Sequence, residues 1–192
     1  MGAPSVPLFP LPTAVLFPKA FMPLHIFEPR YRAMLADALR GERRIAMALL
    51  QEGGVREVCG VGVIVRHRPH ADGTSDIVLW GEARARILAH ELKPGGYLAA
   101  RIQRLPDPAP QAGAEALARL REGLLALLRG RMAERPPGSG LRGLADLAAA
   151  ALLADPLERQ AVLETLDVRE RAERVLALLG RSLLEVGGVC LN

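Results

Sequence analysis

Leu8-Phe9-Pro10-Leu11-Pro12, Val15-Leu16-Phe17-Pro18 and Leu24-His25-Ile26-Phe27-Glu28-Pro29-Arg30-Tyr31 decide how this chain folds. Three of the four phenylalanines lie between Phe17 and Phe27 and the fourth is Phe9, in a chain only 4% aromatic. Large aromatic side chains dominate core energetics, so the first subdomain is expected to condense around residues 8–39. Pro10, Pro12, Pro18 and Pro23 lack the backbone donor that a helix interior or central strand needs. The pieces between them are therefore expected as short, edge-like strands or extended chain. Glu28-Pro29 reads as a helix start, because proline suits the first helical position and an acid suits the positive end of the helix dipole. Tyr31, Met34, Leu35 and Leu39 recur at helical spacing, and Gly41 is the expected stop. Ile26 or Phe27 is placed to pack back over the first turn.

Working outward, residues 43–105 read mostly as strand. Ile45 to Leu50 is a continuous apolar run suited to a buried strand. Val58 to Val65 is β-branched, with Gly60 and Gly62 two apart on one face, a spacing that marks a bend or a close approach. Asp72-Gly73 is a hairpin turn. Ile77 to Trp80 returns as a strand that Gly81 is expected to break. Arg84 to His90 and Tyr97 to Leu105 supply two more, separated by Pro94-Gly95-Gly96. Short strands at regular spacing argue for a small closed or nearly closed sheet.

Pro106-Asp107-Pro108-Ala109-Pro110 is too proline-dense for helix or strand. The expected division is a β-subdomain over 1–105, a linker over 106–112 and a helical subdomain over 113–192. Leu117, Leu120, Leu124, Leu127 and Leu128 form one apolar stripe. Leu141, Leu144, Leu147, Ala148, Ala151 and Leu152 form a second, after a break at Pro136-Pro137-Gly138-Ser139-Gly140. Asp155-Pro156-x-Glu158 starts a short helix. Asp167 and Glu170 start a longer one, with Val168, Ala172, Val175, Leu176, Leu179 and Leu183 inward. These stripes read as core faces.

The succession Leu-Phe-Pro-Leu, Phe-Pro and Leu-His-Ile-Phe-Glu-Pro-Arg-Tyr resembles the start of the Lon N-terminal domain. That is the substrate-binding region of the ATP-dependent Lon proteases, which also occurs as a free-standing bacterial protein. Gly60-Val61-Gly62, Asp72-Gly73 and Gly81 to Arg84 continue the resemblance, although position 85 is alanine where the family tends to carry an aromatic. Val162-Leu163-Glu164, Asp167 and Arg171 match the family's later Leu-Leu-Glu, Asp and Arg in altered form. The resemblance implies an α+β protein, with an N-terminal PUA-like β-barrel carrying one short helix, then a C-terminal α-helical bundle.

The formal charge is +4, from 25 basic and 21 acidic residues. The surplus lies in residues 1–105, with 14 basic and 9 acidic side chains, but no basic run marks a nucleic-acid arm. Cys59 and Cys190 fit no metal or redox spacing and point to a reducing compartment. Prolines interrupt the N-terminal apolar residues and no positive region precedes them, so no signal peptide is expected. The Leu147 to Ala154 run is too short to span a bilayer. A cytoplasmic location is the expectation.

Little in the chain carries chemistry. Lys19 and Lys93 are the only lysines, and neither precedes Ser or Thr as a P-loop requires. Neither stands beside a nucleophilic serine of a Ser-Lys site, and Ser139 lies in a Gly-Ser-Gly loop. His67-x-x-His70, with Asp72 and Asp76 nearby, could be read as a metal site, but a polar hairpin tip is favoured. His25 reads as a hydrogen-bonded structural histidine. No catalytic residue, metal or cofactor is therefore expected. By resemblance, the chain is a binding module for unfolded or partly folded polypeptides, presenting them to a protease or chaperone. Phe21, Met22 and Trp80 are the candidate contacts, with Phe21 and Met22 expected exposed in a loop. The alternative is an RNA-binding PUA-like domain using Arg66, Arg68, Arg84 and Arg86.

Overall fold

The structure is a computed structural model that describes residues 5–108, 112–129 and 140–188, with backbone alone over 182–188. Pro110, the break at 136–139 with Ser139, and Cys190 lie outside the described residues, as does the side chain of Leu183. The chain divides into two compact units, Met1–Leu105 and Pro106–Asn192.

The first unit contains β1 (Ser5–Leu11), β2 (Phe21–Ile26), α1 (Pro29–Arg40), β3 (Arg44–Gln51), β4 (Gly54–Val55), β5 (Val58–Pro69), β6 (Ser75–Leu92) and β7 (Leu98–Leu105). The strands pair in the order β1-β7-β6-β5-β3-β4, and β1 also pairs with β3. The pairings β1–β7–β6–β5–β3 therefore return to β1. Strand β2 lies outside this cycle, alongside β6.

Prolines were expected to confine β1 to an edge, yet it lies between two strands. Its halves resolve the conflict. Ser5 to Leu8 pair antiparallel with β7, and Leu8 to Leu11 pair parallel with β3. Pro7 and Pro10 thus each sit in a half that is paired on one side only, where a missing donor breaks no ladder. The alternation of β3 serves two cores. Ile45 and Met47 join Phe9, Leu16, Ile26, Tyr31, Met34 and Leu35. Ala46 and Ala48 join Val6, Leu8, Cys59, Val61, Ala85, Ala100 and Ile102. Every strand of the cycle contributes to the second cluster, and its alanines keep it narrow.

Helix α1 starts and stops where expected. Pro29 opens it and Arg30 pairs with Glu28 at 2.9 Å. Gly41 N–H donates to the carbonyls of Asp37 and Ala38. The four phenylalanines do not stay together, however. Phe9 and Phe17 are buried, whereas Phe21 and Phe27 are 67% and 60% exposed.

Gly81 does not break its strand, since β6 runs unbroken through it. Its role is space. The segment between β1 and β2 crosses β5 and β6 so closely that a Cβ on Gly81 would lie 2.0 Å from the Phe17 carbonyl oxygen. One on Gly60 would lie 2.0 Å from the Leu16 carbonyl oxygen, and one on Gly62 would meet the Leu16 side chain at 2.6 Å. Both clashes at 2.0 Å are with backbone, which cannot swing aside. Gly81→Ala and Gly60→Ala are each expected to cost at least about 2 kcal/mol, a fall of about 10 °C in Tm for a unit of this size. Gly113→Ala, where nothing lies within 4 Å, is expected to shift Tm by no more than a few degrees in the same thermal melts.

The second unit contains α2 (Ala114–Leu128), α3 (Leu141–Leu152), α4 (Pro156–Glu164) and α5 (Val168–Gly188). Helix α3 packs against α2, α4 and α5. Asp155 caps α4 by accepting from Leu157 N–H, and the Asp167 carboxylate accepts from Glu170 N–H at the start of α5. The stripe of α3 is rotated from expectation. Ala145, Asp146 and Ala149 are buried with Leu144 and Ala148, while Ala151 is exposed. The reason is Arg171, which is wholly buried. Its guanidinium donates to Asp146 at 3.2 Å, to Asp107 at 2.5 Å and to the carbonyls of Thr165 and Leu166 at 2.8 and 2.9 Å. Removing the cation strands carboxylates away from water, which costs about 3–5 kcal/mol for a buried pair. Arg171→Met should therefore lower the urea midpoint of this unit sharply, and Arg171→Met with Asp146→Leu should recover part of the loss.

Candidate functional site

Strand β2 places the residues singled out from the sequence. Its register with β6 sets Phe21 opposite Trp80, Pro23 opposite Val78 and His25 opposite Asp76. The register of β5 with β6 then sets Val63 beside Trp80, Arg66 beside Val78 and Arg68 beside Asp76. Side chains alternate across a strand, so these residues share the outer face. Met22, Leu24 and Ile26 occupy the other face, against the core of Ile64, Ile77 and Leu79. Three rows result. Phe21–Trp80–Val63 is apolar, Pro23–Val78–Arg66 is mixed, and His25–Asp76–Arg68 is charged.

The segment Phe21-Met22 is therefore strand, not loop, and its two residues part company. Phe21 is exposed and its ring lies 4.5 Å from that of Trp80, centroid to centroid. Met22 faces inward and is not an exposed contact; strand alternation decides this, and the flanking prolines hid it. Trp80 is half-buried, its ring tilted 51° to that of Phe21. A bulge at Val65 interrupts β5 and leaves that side chain 52% exposed.

At the polar end, His25 Nδ1 lies 2.7 Å from Asp76 Oδ1, and His70 Nε2 lies 2.7 Å from Asp76 Oδ2. These bonds, that from His25 first, hold the Asp76 carboxyl below its ordinary range. His67 and Asp72 do not join them. His67 bonds to Ser75 Oγ at 3.2 Å, and Asp72 accepts from the Thr74 backbone and hydroxyl across the Gly73 turn. Local spacing thus named one true partner of His70, Asp76, and two residues that stay apart from it, His67 and Asp72. The third member is His25, 45 residues from His70 in sequence and brought to Asp76 by the β2–β6 register.

The four candidate phosphate contacts divide. Arg66 and Arg68 are exposed on the outer face and Arg86 is exposed farther along β6. Arg84 is 2% exposed, in register with Gly60 of β5 and Leu105 of β7. Its guanidinium is not presented to a phosphate.

An open cavity of about 450 Å³ lies between α1 and β7, lined by Asp37, Glu42, Arg44, Lys93 and Tyr97. The Tyr97 hydroxyl donates to Asp37. Burial, then that bond, pushes its pKa up to about 12, so it stays protonated near neutrality. Burial likewise pushes the Cys59 thiol up to about 12. Neither group is an activated nucleophile. No helix among the described residues is long and apolar enough to cross a membrane.

Among the described residues, a sheet with one helix in the first unit and four helices in the second make a mixed α/β architecture of recognisable type. The sequence model of the ATP-dependent protease La (LON) substrate-binding domain matches residues 5–181, and the chain belongs to that family. It is 33% identical to Lon protease 2 of Sorangium cellulosum over 94% of this chain and 25% of that protein. With Lon protease of Methylocella silvestris it shares 28% identity over 91% of this chain and 24% of that protein. The chain thus spans about a quarter of these relatives. Its fold is similar to the Lon N-terminal domain protein from Xanthomonas campestris, with a TM-score of 0.70, 24% identity, and 91% and 98% of the two chains covered. The N-terminal domain of Mycobacterium avium complex Lon protease gives 0.72 at 23% identity, covering 92% and 98%.

The division between Phe21 and Met22 is measurable. Phe21→Ser should cost under about 1 kcal/mol, the range of a surface cross-strand pair. Met22→Ser should cost about 1–3 kcal/mol, from loss of a partly buried side chain. Equal chemical denaturation midpoints for the two variants would contradict the inward placement of Met22.

Proposed function

We propose that this chain is a non-catalytic module that takes an extended segment of unfolded or partly folded polypeptide along β2, with apolar side chains seated on Phe21 and Trp80. The observation that carries this reading is an outlying strand whose exposed Phe21 lies across the register from Trp80 of β6, ring against ring. The Ala20 carbonyl accepts from Gly81 N–H, so Ala20 turns its backbone groups toward β6. Backbone direction alternates along a strand, and the groups of Phe21, Pro23 and His25 therefore point away from β6. Among the described residues no strand pairs with that side. A guest strand would gain main-chain hydrogen bonds there and specificity from alternate side chains.

The reading of the first unit as a PUA-like β-barrel rests on the cycle of strand pairings and the alanine-rich cluster shared by all its strands. The second unit is read as a helical bundle. The working context is cytoplasmic, as an adaptor delivering clients to a protease or chaperone. RNA binding is not favoured, since Arg84 is buried and the outer face is led by an apolar row.

The test is fluorescence anisotropy with a labelled, reduced and carboxymethylated model protein. Wild type should bind saturably, and Phe21→Ser with Trp80→Leu should weaken binding at least tenfold, about 1.4 kcal/mol, with the fold intact by circular dichroism. A labelled RNA should show no binding at low salt, where phosphate contacts are strongest. Equal polypeptide binding by the double variant would overturn the proposed face.

A further inference from the structure

We propose that His25, His70 and Asp76 form a binding site for a divalent transition-metal ion of the zinc class. His25 Nδ1, His70 Nε2 and an Asp76 oxygen all lie within 4.8 Å of one another. Zinc bonds of about 2.0–2.2 Å place neighbouring donors of a tetrahedral site about 3.3 Å apart. The three side chains reach that spacing by rotating about their terminal bonds. They have room to do so, with the His25, His70 and Asp76 side chains 53%, 31% and 49% exposed.

The backbones beneath them are fixed. His25 and Asp76 are register partners in the β2–β6 pairing. His70 is held at the hairpin by its own N–H to the Thr74 carbonyl at 2.9 Å and by Gly73 N–H to its carbonyl at 3.0 Å. The donors therefore do not have to be gathered from a flexible loop. Two imidazole nitrogens and one carboxylate oxygen suit zinc, cobalt, nickel or copper over calcium or magnesium. The ion would take the place of the one proton between each ring and Asp76, each imidazole then carrying its proton on its other nitrogen, and solvent would complete the coordination. Two hydrogen bonds to one ionised carboxylate are an arrangement that a cation can take over without creating a buried charge.

The consequence is mechanical. β2 is joined to the sheet along one side only, and the ion would staple its end to the β5–β6 hairpin. Arg68, in register with Asp76 on β5, opposes the ion's charge and keeps affinity moderate. This inference stands apart from polypeptide binding, because it needs no guest.

The experiment uses tag-free full chain stripped with chelator. Titration with Zn²⁺ against a chromogenic indicator should show one saturable equivalent. Co²⁺ should give visible d–d absorption when bound. Trp80 is the sole tryptophan and lies four residues from Asp76 along β6, about 13 Å, so one equivalent of Cu²⁺ should quench most of its fluorescence. His25→Ala, His70→Ala and Asp76→Asn should each weaken Zn²⁺ binding at least tenfold, and His67→Ala and His90→Ala should leave it within twofold. Binding that persists in His25→Ala and His70→Ala, or that never saturates in wild type, would overturn the site. Should one variant fail to fold, Cu²⁺ quenching of Trp80 in the wild type still decides the matter.

Discussion

The first unit depends on backbone touching backbone where residues 12–20 cross the sheet. The carbonyl oxygens of Leu16 and Phe17 occupy the space that side chains at positions 60 and 81 would need. Gly81 N–H then donates to the Ala20 carbonyl at 2.9 Å, and its own carbonyl accepts from Lys19 N–H at 2.7 Å. Those two bonds deliver the chain to β2 in register. They also explain the irregularity in β6. Val61 faces Ala83, but Gly62 faces Gly81, so one residue of β6 is left over at the crossing and the strand bends there. The 18 residues of β6 can then serve β2 with their first part and β7 with their last.

That constraint governs what the sequence could and could not disclose. Gly60 and Gly62 at period two announced a close approach, and the structure supplies its object in Leu16. Gly81 carried the same message, but an isolated glycine in a strand also reads as a terminator, and local reasoning has no means to separate the two. Helix α1 was legible from Pro29 to Gly41, because capping chemistry is local. The outer face was not. Phe21 and Trp80 are distant in sequence, and which neighbours share their face follows from registers set by the glycine crossing. Phe21 and Met22 looked equivalent between prolines, and only pairing with β6 assigns one to solvent and the other to the core.

The helical unit hid its organising residue for a related reason. A hydrophobicity stripe predicts which face of α3 turns inward by counting apolar residues, and Asp146 argues against the face it occupies. Arg171 reverses the sign of that argument, since an aspartate facing a wholly buried guanidinium belongs inside. Burying one ion costs more than its hydrogen bonds return unless partners converge on it. Here they come from the segment before α2, from α3 and from the α4–α5 turn. Arg171 thereby ties three separate stretches of the unit to one guanidinium.

An outlying strand with an exposed phenylalanine invites self-association unless something opposes it. Pro23 does so without closing the edge. Proline gives the strand's outward side a carbonyl but no N–H at its centre. Two copies of β2 pairing antiparallel about that point would set each Pro23 carbonyl against a proline nitrogen that has no hydrogen, an arrangement with no hydrogen bond and a carbonyl stripped of water. A guest with an ordinary residue there can offer the missing donor, while its neighbours bond to Phe21 and His25. On the function proposed above, the residue that disqualifies β2 as its own partner leaves it available to a chain that is extended, apolar in alternate positions and not already paired. Those properties describe an unfolded polypeptide better than they describe any folded surface.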